Sequence, residues 1–156
     1  MKKQQKSTGT YIASKGPLDA RTVVVLSYAD MFNNLTRIKE LVTEAGFDAE
    51  EVYYTPAVKV EGADKSLEVA KSWQAPLFNE VEKIRPYVLA CVGEGAVFAF
   101  TNNNKLENRG TLFPSGIICG TFMFTVEPIT EEQEKIFIED MKLLRKRLAE
   151  VRGTLG

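Results

Sequence analysis

The sequence predicts an α/β domain, three layers thick, with helices on both faces of a mostly parallel central sheet. Three observations lead there. Short apolar runs at 22–27, 52–55, 87–92 and 121–126 have the length and the β-branched or aromatic content of strands. Helical periodicity fills most of the intervals between them, and strand–helix alternation is the mark of a parallel sheet with crossover helices. The run Thr22–Ser27 is apolar almost throughout rather than alternating, as in a central parallel strand buried on both faces.

Residues 1–21 are polar and basic, with Gly9, Gly16 and Pro17 breaking any periodicity, and read as a flexible arm with a short strand at Thr10–Ala13. One domain is expected over residues 22–156. After the first strand, Asp30 is placed to cap a helix reaching Ala45. Phe32, Leu35, Ile38, Leu41 and Val42 share one face of it, and Gly46 ends it. The second strand, Val52–Thr55, continues less regularly through Val60, and Gly62–Lys65 is a polar loop. Helical pattern resumes over 66–73 and again over 75–84, where Pro76 suits a first turn. Arg85-Pro86 stops that helix, and Tyr87–Val92 is the third strand.

Beyond Gly93, Ala96–Phe100 reads as a short helix before the polar loop 101–105. Ile117-Ile118 and Thr121–Val126 supply further strands. Thr130 and Gln133 have the spacing of a capping box for the last helix. Its apolar stripe is Phe137, Met141, Leu144, Leu148 and Val151, and Gly153 is expected to terminate it. Glu132, Glu134, Glu139 and Asp140 make its first half acidic and Lys142, Arg145, Lys146, Arg147 and Arg152 its exterior basic. The helix dipole favours that polarity without any ligand.

Composition narrows the chemistry. The 156 residues are 44% apolar and 26% charged, ordinary for a soluble globular chain, and the net charge of −1 gives no overall reason to bind nucleic acid. The sequence contains no histidine. Ser-His-Asp and Cys-His catalysis are thereby removed, with every metal site that needs imidazole. Cys91 and Cys119 lie in apolar stretches and read as buried thiols of a reducing cytoplasm. No apolar run approaches the roughly 18 residues of a membrane span. The basic start, Met1–Lys6, lacks the apolar stretch of a secretory signal. No membrane, metal or cofactor is expected.

Four motifs, in order, carry a resemblance. Ala45-Gly46-Phe47 leads to Val52-Tyr53-Tyr54-Thr55. Pro76 to Arg85-Pro86 is followed by a strand ending Val92-Gly93. Leu106 to Gly110 holds Arg109-Gly110. The strand Thr121 to Val126 runs into Glu127-Pro128 before a long final helix. The order resembles the uracil-DNA glycosylase superfamily, especially the short family-four type and related domains of phage replication proteins, over about Thr22 to Val151. The resemblance implies that family's α/β/α fold. It also implies what is missing. The family follows its first strand with a long Gly-Glu-x-Pro-Gly loop, whereas here Ser27-Tyr28-Ala29-Asp30 enters a helix at once. Pro56 stands where the family reads the base with asparagine, and Glu127 stands where it presents the histidine of a histidine–proline pair. A carboxylate there would oppose the negative charge that develops on a departing base.

Ser27, Tyr28, Thr55, Pro56, Gly93 and Glu127 would then line a vestigial pocket. Asp30 reads either as a general base beside the crevice or as a helix cap, and Glu127 either as an acid–base group or as a solvated strand end. Gly93-Glu94-Gly95 reads as a tight turn rather than a phosphate cradle, lacking the P-loop lysine. Asn102, Asn103, Lys105 and Arg109 are the candidates for touching a nucleic-acid backbone. The expected function is a non-catalytic binding or scaffold protein with a glycosylase fold, acting in DNA replication, repair or phage–host conflict. Its partners would be DNA, held weakly and through phosphates, or a replication or repair protein. The alternatives are an active superfamily member using Asp30 or Glu127, a small nucleotide-binding α/β domain with its site beside Ser27 and Gly93, and an inhibitor of another protein.

Overall fold

The computed structural model describes residues 13–57, 74–93, 96, 109–114 and 120–155. The elements expected within 58–73, 97–108 and 115–119, and most of the strand at Thr10–Ala13, lie outside the described residues. The described chain forms β1 (Thr22–Leu26), α1 (Tyr28–Asn33), α2 (Leu35–Glu44), a 3-10 turn (Ala49–Glu51) and β2 (Val52–Pro56). It continues with α3 (Gln74–Ile84), β3 (Val88–Val92), β4 (Phe113–Pro114), β5 (Thr121–Thr125) and α4 (Glu131–Leu155).

The strands assemble into one sheet in the order β2-β1-β3-β5-β4. The first four are parallel, and β4 runs antiparallel at the edge, with Phe113 opposite Phe122. Val24 of β1 lies between Tyr54 of β2 and Ala90 of β3. Every residue of β1, β2 and β3 is buried.

Successive side chains enter opposite faces of the sheet. Val23, Val25, Tyr53, Leu89, Cys91 and Phe124 pack beneath α3, against Leu77, Val81 and Ile84. Val24, Leu26, Tyr54, Ala90 and Met123 pack on the other face, against Ile38 and Leu41 of α2 and Phe137, Met141 and Leu144 of α4. Helices therefore cover both faces, which is the expected three-layer α/β/α arrangement. Full burial of each such Val, Leu, Ile, Phe or Met contributes about 1.5–3 kcal/mol.

The order reverses direction between β1 and β3, so the crevice of this sheet opens beyond their carboxyl ends. Several local readings of the sequence change. The expected single helix from Asp30 is two. Ser27 is the cap, its Oγ accepting from Asp30 N at 3.1 Å, and Asp30 sits inside the first turn. α1 closes at Asn34, whose N–H donates to Asp30 O, and α2 restarts with Ile38 N donating to Asn34 O. This break shifts the helical phase, so Met31 is buried and Phe32 is 61% exposed. At the far end α4 runs through Gly153 to Leu155, because an isolated glycine weakens a helix without forbidding it. The capping box that opens α4 forms as read. Gln133 N donates to Thr130 Oγ1 and Thr130 N to Gln133 Oε1, both at 3.1 Å.

The expected arm is tied down over its described part. Lys15 pairs with Tyr54 as an antiparallel bridge on the free edge of β2.

Candidate functional site

The inner strands deliver Ser27 and Gly93 to the crevice. Ser27 follows β1 directly and its hydroxyl is committed to capping α1, leaving no intervening loop. Gly93 ends β3 at φ 87, and its N–H donates to Thr125 O at 2.9 Å. A Cβ on Gly93 would stand 2.5 Å from Glu127 Cγ and 2.9 Å from its Oε1. The left-handed backbone at φ 87 favours glycine there, and the Glu127 side chain lies directly over the end of β3. Glu127 is thus half-buried against the neighbouring strand end rather than a solvated one.

The two outer parallel strands end alike. Thr55 of β2 and Thr125 of β5 are fully buried, and each donates its hydroxyl to a helix carboxylate. Thr55 Oγ1 is 2.8 Å from Glu80 Oε1 on α3, and Thr125 Oγ1 is 2.7 Å from Asp140 Oδ2 on α4. Around Glu80 gather two more hydroxyls, Tyr53 OH and Ser14 Oγ, both on Oε2. Ser14 Oγ lies 2.7 Å from Thr55 Oγ1 and 2.5 Å from Glu80, so its single proton serves one or the other. Around Asp140 the third partner is a cation. Arg109 Nη1 reaches both carboxylate oxygens, at 2.6 and 2.8 Å, while Gly110 N donates to Phe124 O.

Of the residues singled out in the sequence, Ser27, Thr55, Pro56, Gly93 and Glu127 all lie at the carboxyl ends of the parallel strands. Tyr28 opens α1 beside them. Pro56 belongs to β2 and pairs with Leu26. Asp30, 5% exposed in the first turn of α1, is not the cap. Arg109 is engaged by Asp140, with 38% of its side chain still exposed. Asn102, Asn103 and Lys105 lie outside the described residues.

Sequence reasoning missed Ser14 and Glu80, and read Asp140 only as part of an acidic helix surface. Asp140 is 3% exposed. The signal was present in both helices. Leu77, Glu80, Val81 and Ile84, and likewise Phe137, Asp140, Met141 and Leu144, place one carboxylate at i+3 of an apolar i, i+4, i+7 face. A carboxylate on such a face is buried only with partners.

Elsewhere, burial pushes the Tyr54 hydroxyl well above the usual phenol range, with Glu50 and Asp48 adding to the shift. Among the described residues that hydroxyl has no hydrogen-bond partner. Glu134 is held below the usual carboxylate range by its hydrogen bonds from Arg37, which tie α4 to α2.

A cleft of about 490 Å³ opens at the opposite, amino end of the strands, with Asp19, Asp48, Glu50, Arg21 and Arg145 among its walls. A smaller one, about 360 Å³, adjoins Glu80 between Leu18 and α3. No group of three or more potential metal ligands occurs among the described residues, and no described helix is long and apolar enough to cross a membrane. The arrangement offers a carboxylate in the crevice and hydroxyl-bonded or ion-paired carboxylates on either side of it. It can accept hydrogen bonds and repel anions.

The architecture defines the class: a three-layer α/β/α domain on a mostly parallel sheet. No protein-family model matches the sequence, and no curated protein matches it.

Proposed function

We propose that the chain is a non-catalytic binding or scaffold protein built on a glycosylase-like fold and working in DNA replication, repair or phage–host conflict. The observation that carries this reading is Glu127 lying over Gly93 at the crevice. A carboxylate there opposes the charge that builds on a departing base, and such reactions are accelerated chiefly by fixed groups of the opposite polarity. Two features support it. Ser27 caps α1 with no loop between strand and helix, and Pro56 sits in β2 with no side-chain donor or acceptor for a base edge. The setting rests on the four motifs that resemble the glycosylase superfamily.

A protein partner is favoured over DNA, because the Arg109 guanidinium is already paired with Asp140.

The direct test is excision of uracil from single- and double-stranded DNA by the purified protein, with no abasic sites expected above a no-enzyme control. Abasic sites that disappear in Glu127→Ala would overturn the reading. The part of Arg109 left exposed supports a second reading, weak phosphate-led DNA contact. That contact requires binding that weakens steeply with salt and falls in Lys105→Ala/Arg109→Ala to a similar extent for every DNA sequence.

A further inference from the structure

The outer edge of β2 is covered by the chain's own residues Ser14–Gly16. Lys15 N donates to Tyr54 O at 2.8 Å and Tyr54 N to Lys15 O at 2.7 Å. Backbone groups alternate along a strand. Tyr54 turns outward to Lys15, whereas Ala57 N turns inward to Leu26 O of β1. Val52, Tyr54 and Pro56 therefore face the edge, and Pro56 closes it by having no N–H to offer.

What fits on this edge is narrowly specified. Gly16 lies so close that a Cβ would stand 2.5 Å from Val52 O and 2.7 Å from Tyr53 Cα, at φ 135. Two residues earlier, the Ser14 hydroxyl reaches Thr55 and Glu80. The segment seated there is extended, places a hydroxyl on Glu80, and has glycine two residues further on, where a Cβ would collide with the β2 backbone. It joins the sheet through Pro17–Asp19, where Leu18 is 75% exposed, and is anchored by Ala20 at 3%. An uncovered edge is a template for another strand, and exchange of an identical element is a low-cost route to a closed dimer.

We propose that this edge is a self-recognition surface. It accepts Ser14–Gly16 of a second copy in exchange for its own strap, and each copy's Ser14 completes the other's Glu80 cluster. The contacts are the same in both states, so the hinge at 17–19 decides between them. The proposal does not depend on the glycosylase reading.

Deleting Leu18 shortens that hinge by about 3.5 Å, which prevents the strap from returning to its own edge. The shortened chain is expected to sediment as a dimer with the Tyr54 amide as protected from hydrogen exchange as in the unaltered chain. Adding Gly16→Val should return it to a monomer and lower Tyr54 protection about tenfold or more, with Val24 and Ala90 still protected. A monomeric shortened chain, whatever its Tyr54 protection, overturns the proposal, and so does a dimer that survives Gly16→Val. If exchange at Val24 shows that the deletion unfolds the chain, two full-length variants decide instead. Gly16→Val has a sound edge without a usable strap, and Glu80→Ala has a sound strap and an edge weakened by loss of the acceptor for Ser14 Oγ. Mixing them should give a one-to-one complex that neither forms alone, and its absence overturns the proposal.

Discussion

Thr55 with Glu80 and Thr125 with Asp140 are the same device at the two outer parallel strands, completed in different ways. In both, a buried threonine at a strand end donates to a carboxylate on a covering helix. Glu80 draws in hydroxyls and holds the segment that precedes the sheet. Asp140 draws in a guanidinium and holds the turn before β4. An ionised carboxylate inside a fold needs compensation, and a cation and a set of hydroxyls differ in what their loss leaves behind. Removing one hydroxyl from Glu80 leaves others in place, whereas removing Asp140 or Arg109 breaks a partly buried ion pair.

The sharpest way to break this comparison is Asp140→Ala. It strands Thr125 and Arg109 together and is expected to cost about 3 kcal/mol in urea unfolding. A loss below that expected for Glu80→Gln would reverse the ranking. Arg109→Ala follows at about 1–2 kcal/mol, reduced because solvent already reaches the guanidinium. Glu80→Gln, which keeps one carbonyl acceptor for the hydroxyls, should cost about 1 kcal/mol. It should also raise hydrogen exchange at the Tyr54 amide, since Ser14 is part of what holds the strap.

The smallest effect separates two neighbours. Tyr53 and Tyr54 point to opposite faces, one hydroxyl bonded to Glu80 and the other without a partner among the described residues. Tyr53→Phe should cost about 1 kcal/mol and Tyr54→Phe within about 0.5 kcal/mol of zero. Their pH dependence sharpens the contrast. Because burial raises the Tyr54 pKa in the folded chain, its contribution is fully present below about pH 10. Above that the unfolded chain ionises first, and the contribution is lost as pH rises further. The stability difference between Tyr54→Phe and the unaltered chain should therefore move in favour of the variant between pH 8 and pH 11. A constant difference would mean that Tyr54 titrates normally.

Much of the fold was legible because its signals are local. Four apolar runs became the four parallel strands, and Thr130 with Gln133 opened α4 as a capping box. Ser27 was passed over for Asp30 because both are good caps three residues apart, and only the backbone geometry separates them. Once the helix began earlier and broke at Asn34, Phe32 left the expected face. The resemblance drew attention to Glu127, Pro56 and Gly93. That the Glu127 side chain lies over Gly93 is a contact between residues far apart in sequence, and no spacing rule expresses it.

By itself the sequence determined the layer architecture, the lack of histidine in this chain and the apolar stripe Phe137, Met141, Leu144 and Leu148 that the last helix buries. Period and composition act through neighbouring residues, so they survive without knowledge of the fold. Only the tertiary structure decided the partners of the polar residues. Ser14 reaches Glu80 across 66 positions, and Arg109 reaches Asp140 across 31. Burial makes such pairings obligatory, but the sheet order chooses which distant group arrives.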